Sequence, residues 1–349
     1  MTANAKRRQF LQLGVAGAAT LAVPGLSRAA GKIVATTYPG SFEEAYRAVL
    51  VPAFQKATGG SVTLTPLLGV DQVAKITAAR ANPPYDVVMF DEGPAINAIK
   101  ANVLQRFPAD KSKYFNDLPK IFQGTGYGPT ISMQVIGLAY NPKKVKAPPT
   151  SWDDLWRPEY KGRVGITGMG SSLGTAFMVE LAKLRGGSET NLEPAFAAMK
   201  QLLPSVSALA QSPGALAALF QQGQIDIAFN YYNNVELLRA KGVDVAFVLP
   251  KSGGVLIRTS MHIVANSAEP DLALRYIDTL MSPEVQGVLE AAPWVMLPTN
   301  SKVKFTGENV RQIGKDLAEV EKKLVLHDWN KIQEQRPAWI ERFNKEVKV

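Results

Sequence analysis

The 349-residue sequence has no cysteine and only two histidines, His262 and His327. The first absence excludes disulfide staples, CxxC zinc sites and thiol nucleophiles; the second excludes a histidine-rich metal centre. Beyond residue 30 there is no apolar run long enough to cross a bilayer. Charged residues make up 20% of the chain, and the basic excess, formally +9, gathers on no single helix, so there is no nucleic-acid footprint. Internal repeats and low-complexity tracts are absent from residue 31 onward.

What is present begins with a leader. The segment "KRRQFLQLGVAGAATLAVPGLSRAA" has a basic start at Lys6, Arg7 and Arg8, a short Ala/Gly-rich middle, and small residues from Ser27 to Ala30 suited to a signal peptidase. Its paired arginines, followed by Gln9, Phe10 and Leu11, resemble the twin-arginine export signal, which implies a periplasmic destination and cleavage after Ala29 or Ala30. Loss of residues 1–30 removes four basic side chains and no acidic one, leaving +5. A positive field of that size suits an anionic small ligand.

From residue 31 short β-branched runs alternate with amphipathic stretches. Strand signals fall at Lys32 to Tyr38, Ser61 to Leu68 and Asp86 to Phe90, with helical stretches near 41–57, 71–81 and 94–102. A second set, at Val135 to Tyr140, Arg163 to Thr167, Ile225 to Asn230 and Val243 to Leu249, again alternates with helices, one opened by a Ser212 cap and Pro213. One more strand, Ser260 to Asn266, precedes helices near 269–291 and two long polar helices from 307 to the end. The pattern predicts an α/β protein of two lobes joined by extended crossings near 128–136 and 250–260. The first lobe takes 31–132 and 258–306, the second 133–257, with the 307–349 helices packed on the second. Such a molecule closes about a hinge over a ligand in the interlobe cleft.

Several stretches carry a family resemblance. "YDVVMFDEGP" (85–94), "VIGLAYNPKKV" (135–145), "PTSWDDLWRPEYKGRVGI" (149–166), "FVLPKSGG" (247–254) and "ALRYIDTLMSPEVQ" (273–286), with "LPTN" (297–300), resemble the extracytoplasmic solute-binding proteins of ABC importers. The spermidine/putrescine and ferric-ion branches are the nearest in pattern. The resemblance spans nearly the whole chain after the leader. It implies a type II periplasmic-binding fold, a monomer without catalysis or cofactor, and two partners: a small-molecule solute and a permease in the inner membrane.

The stretch "GITGMGSSLGTAF" (165–177) invites three readings. As a nucleotide loop it is broken, because Ser171 stands where a lysine must reach the phosphates. As a hydrolase elbow it would make Ser172 a nucleophile, with Asp226 or Asp244 and then His262 or His327 following in hydrolase order. The third reading uses the helix end: unpaired N–H groups and the hydroxyls of Ser171, Ser172 and Thr175 receive an anion, or one serine merely caps the helix. Leu173, Phe177, Leu181 and Leu184 mark the buried face of that helix.

Strand ends supply the other candidates. Tyr38, Gly40 and Ser41 close the first strand; Ser41 also reads as an N-cap, with Glu44 completing a capping box. Asp91 and Glu92 end the third strand and offer carboxylates to an ammonium, or cap the helix beginning near Pro94. Tyr231 and Tyr232 resemble the phenolate pair of the ferric-ion binders and Glu92 their carboxylate, but Ser41 replaces that branch's histidine, which weakens an iron site. Where polyamine binders present a tryptophan and an aspartate, this chain has Ile257 and Thr259, and the lost aspartate disfavours a dication. Arg258 between them is suited to fork a carboxylate or phosphonate, although strand alternation lets only one of Arg258 and Thr259 face the cleft. Trp294 offers an aromatic wall or core packing. The expectation is a binding protein for a small organic anion or zwitterion, with no metal. Its anion sits at the 170–175 helix end assisted by Arg258, any ammonium sits at Asp91 or Glu92, and Tyr38, Tyr231, Tyr232 and Trp294 form walls. Ferric-ion and polyamine binding are the alternatives.

Overall fold

The computed structural model describes residues 31–349, so the leader lies outside the described residues. Ten strands form one sheet: β1 (Lys32–Thr37), β2 (Ser61–Pro66), β3 (Val87–Asp91), β4 (Thr130–Tyr140), β5 (Val164–Thr167), β6 (Val206–Ala210), β7 (Ile227–Tyr231), β8 (Ala246–Val248), β9 (Gly254–Ile263) and β10 (Leu324–Val325). Their order is β2-β1-β3-β9-β4-β7-β5-β6, with β10 beside β9 and β8 beside β4. β1 runs parallel to β2 and β3, and β5 parallel to β6 and β7, so each end of the sheet is a crossover α/β unit. Two long antiparallel strands join the ends: β9 pairs with β3 on one side and β4 on the other, and β4 continues to β7.

β4 and β9 are the extended crossings expected near 128–136 and 250–260. They run longer than their sequence signals because polar residues, Ser132, Gln134, Arg258 and Thr259 among them, interrupt the apolar pattern while remaining in the ladder. β3 is buried along its whole length, as a strand covered on both faces must be. The main hydrophobic core runs through both lobes; a smaller one, with Ile76, Val88, Phe90, Ala98 and Leu104, fills the second face of the first lobe.

The helix Ser172–Leu184 is buried from Ser172 to Ala182, and Phe177 stacks on Phe229 of β7 with ring centroids 3.9 Å apart. Its end is therefore fixed in place by the core. Leu184 does not join that face: it is 48% exposed, because the final turn emerges into solvent. The chain after residue 307 also departs from expectation. In place of two long helices there are two short ones, Gly307–Gln312 and Leu317–Lys323, then β10 and a single long helix, Trp329–Glu346. Gly314 interrupts the first run, and Asp316 caps a fresh helix by accepting from the Glu319 N–H. The long helix pairs Arg342 with Glu193, and just before it His327 Nε2 lies 3.1 Å from Glu180 Oε2; on its other side Trp329 and Gln333 rest against Gly93.

Candidate functional site

β1, β3 and β7 each hand over to a helix within a few residues of their C-terminal ends, so Tyr38, Asp91 and Tyr231 meet where the two lobes face each other. With Gln134, Ser171 and Ser172 they line a narrow cleft with a free volume of about 20 Å³. Its mouth is shut. Ser41 Oγ donates to Asn234 Oδ1 at 2.7 Å and accepts from Asn233 Nδ2 at 2.7 Å, and the Ser41 N–H donates to Asn234 Oδ1 at 3.2 Å. Beside it the backbones of Gly40 and Gly214 touch: a Cβ on Gly214 would sit 2.9 Å from Gly40 Cα and 2.9 Å from Pro39 O. The N-cap reading of Ser41 is corrected here. Gly40 is the N-cap, no side chain caps the turn, and the Ser41 hydroxyl is spent across the cleft.

Asp91, 3% exposed, forms the floor opposite Thr259 in the β3–β9 ladder. Thr259 Oγ1 donates to Asp91 Oδ1 at 2.9 Å and Gln134 Nε2 donates to the same oxygen at 3.1 Å. The Ser172 and Tyr38 hydroxyls stand beside the carboxylate, and Tyr38 accepts from the Asp91 N–H at 2.8 Å. Burial pushes the Asp91 carboxyl up to about 6 against the pull of these donors and of Arg336. Burial, and then the Asp91 charge, raise the Tyr38 and Tyr231 phenols well above their usual value, so both are neutral hydroxyls.

Strand alternation sends the neighbours of Asp91 and Thr259 to the opposite face. Arg258 Nε donates to Glu92 Oε1 at 3.0 Å, and the two line a separate groove of about 430 Å³ with Ile96, Ile121, His262 and Trp329. Burial, opposed by Arg258, raises Glu92 to about 7. Two adjacent carboxylates thus face two different spaces. Of Arg258 and Thr259, it is Thr259 that bonds to a residue of the interlobe cleft.

At the helix end Ser171 is the N-cap: its hydroxyl accepts from the Gly174 N–H and donates to Gly168 O, both at 3.1 Å. Ser172 faces Asp91. Thr175 is fully buried below the cleft, donating to Met169 O at 2.7 Å and accepting from Arg336 Nε at 3.0 Å. Arg336 was missed in the sequence. Its signal is an arginine in the row Trp329, Ile332, Gln333, Arg336, Phe343, the helical spacing of a buried face.

Tyr232 turns away from the cleft and packs on Phe247 with ring centroids 5.2 Å apart, and its hydroxyl has no partner. It therefore does not converge with Tyr231, and among the described residues no three His, Asp or Glu side chains cluster as metal ligands would. Trp294 packs against the main core and lines no part of the cleft. Both histidines are engaged away from Ser172. His262 Nε2 is 2.7 Å from Ser260 Oγ, burial lowers its pKa to about 4, and His327 pairs with Glu180. Asp226 is held by Arg163 at 2.8 Å and Asp244 by Lys143 at 2.8 Å.

Two α/β lobes, two crossing strands and a cleft between strand ends define a type II periplasmic-binding fold. The chain belongs to the bacterial extracellular solute-binding protein family, whose profile matches residues 50–306. It is 31% identical over 173 residues to the spermidine/putrescine-binding periplasmic protein of Escherichia coli, a match that covers 48% of this chain and spans about half, 45%, of that relative. The gamma-aminobutyric acid-binding protein of Pseudomonas aeruginosa is 23% identical over 268 residues, 72% of each chain. A periplasmic binding protein from A. tumefaciens solved in complex with agropinic acid has the same fold, with a TM-score of 0.77 at 19% identity over 91% of this chain and 98% of that one. The family is one of substrate-binding proteins and not of enzymes.

Proposed function

We propose that the chain is the periplasmic solute-binding protein of an ABC importer and that it closes over a small organic anion or zwitterion. The observation that carries this reading is the convergence of Asp91, Tyr38, Tyr231 and the Ser171–Ser172 helix end in a cleft latched by Ser41 and Asn234. A buried carboxylate ringed by hydroxyls suits an ammonium, and a helix N-terminus suits an anion. The relative named for gamma-aminobutyric acid supports an amino acid-like solute. Contacts made only when the lobes meet favour the closed population, and a membrane permease then receives the closed form. Export of the folded monomer by the twin-arginine route completes the reading.

Native mass spectrometry of freshly purified protein tests it by weighing any co-purified solute. In thermal-shift measurements a true ligand at ~100 times its Kd adds about 2.7 kcal/mol of stability. A protein that carries no anionic or zwitterionic solute and responds to no carboxylate, phosphonate or amino acid would remove the proposal.

A further inference from the structure

The C-terminal helix Trp329–Glu346 buries one arginine, Arg336, which is 1% exposed. Three of its five N–H donors are used. Nε donates to Thr175 Oγ1 at 3.0 Å, and Nη2 donates to Met169 O at 3.3 Å and Gly170 O at 3.1 Å. These anchors lie on and just before the start of the helix Ser172–Leu184, so the guanidinium cannot swing. Nη1 has no partner. Among the described residues no carboxylate oxygen lies within the 4.0 Å of an ion pair with it. Arg336 lines no part of the cleft itself, but Gly170, which it holds, precedes Ser171 and Ser172 of the cleft wall, and the groups that feel its charge, Asp91, Tyr38 and Tyr231, line the cleft.

A buried cation with unpaired donors is costly, and a loop anchor alone would not require a guanidinium. Its charge adds to the positive end of the adjacent helix dipole. We infer that Arg336, held beneath the Ser171–Ser172 end of the cleft, supplies the positive charge that draws a carboxylate or phosphonate of the solute to that end while Asp91 takes an ammonium. The solute class is then a zwitterion with separated poles, such as an ω-amino acid or an aminoalkylphosphonate, and a dicationic polyamine is repelled. This rests on the solute-binding reading above and assigns the anion to Arg336 in place of Arg258.

Calorimetry with γ-aminobutyrate, 2-aminoethylphosphonate and putrescine tests the assignment. The protein is expected to bind a zwitterion more tightly than putrescine, and Arg336→Gln to weaken zwitterion binding by roughly tenfold, as loss of a buried charge close to a bound anion does. Arg336→Lys keeps the charge without the fork, so it should lose less; if the Gln variant fails to fold by circular dichroism, the Lys variant carries the test. Zwitterion binding by the folded variant that equals the wild type, or a wild type that prefers putrescine, overturns the role of Arg336 while solute binding itself stands. If none of the three probes binds but native mass spectrometry finds another solute, the zwitterion class falls alone; if no solute is found either, both readings fall.

Discussion

Ser41 and Asn234 lie 193 residues apart in sequence and 2.7 Å apart in space, hydroxyl to amide oxygen, across the mouth of the cleft. Asn233 donates to the same hydroxyl, so one serine joins the first lobe to two side chains of the second. The bond is available only when the lobes are together.

Ser41→Ala removes both hydroxyl bonds of this latch and leaves the buried Asn233 amide without its partner, while the Ser41 N–H still donates to Asn234; the loss costs the closed state about 1–3 kcal/mol. Solute affinity is therefore expected to fall, chiefly through faster release, and stopped-flow dissociation reads the change. Release at the wild-type rate would mean that the latch does not hold the closed form.

Gly214→Ala tests closure by sterics. Alanine suits the helix Pro213–Gln221 better than glycine, so local folding is preserved. The new Cβ would nevertheless press on Gly40 Cα and Pro39 O at 2.9 Å, contacts that only the closed form contains. Small-angle scattering should show no contraction when solute is added; a radius of gyration that shrinks as in the wild type would contradict the close approach.

Asp91 predicts a pH dependence. Its carboxyl is raised from 3.8 to about 6 by burial, with Tyr38, Tyr231, Glu92 and Arg336 as its charged or titratable neighbours. A raised carboxyl holds its proton more tightly in the folded than in the unfolded chain. Its stabilising share is whole below the unfolded pKa and is lost as pH rises through the folded one. For a shift of this size the loss is on the order of 3 kcal/mol, and it falls between about pH 4 and pH 6. Glu92, raised to about 7, acts with the same sign. Melting curves of ligand-free wild type minus Asp91→Asn should therefore fall across that window, and a flat difference would remove the buried titration.

Arg258→Ala should leave solute affinity nearly unchanged, because Arg258 is tied to Glu92 in the other groove. A partly exposed pair of this kind contributes up to about 1 kcal/mol, which a small drop in Tm would register. A large loss of affinity would return Arg258 to the solute.

Much of the fold was legible because β-branched runs end sharply at Thr37, Asp91, Thr167 and Tyr231, and strand ends in open α/β sheets are where ligands meet the chain. That rule alone finds Tyr38, Asp91, Ser172 and Tyr231. β6 was not legible: "VSALA" is an edge strand of small, half-exposed residues with no apolar alternation. Gln134 and Arg336 escaped for another reason. Each is a polar residue in a buried row, and its value depends on which element docks beside it, here β9 for Gln134 and the Thr175 turn for Arg336. Facing was equally hidden. Tyr231 and Tyr232 are adjacent letters, yet the strand ends between them and sends one to the cleft and the other to Phe247.

The crossing itself has a mechanical consequence. β4 and β9 are paired to each other over much of their length, with one irregularity between Thr130 and Ser132. Two ribbons bonded edge to edge resemble a leaf spring, which bends out of the sheet plane more easily than it slides within it, so the proposed closure is expected to follow one soft direction. Gln134 and Thr259, which grip Asp91, are set in the leaves of that spring. On the proposed function, flexing the spring and seating the solute are one movement.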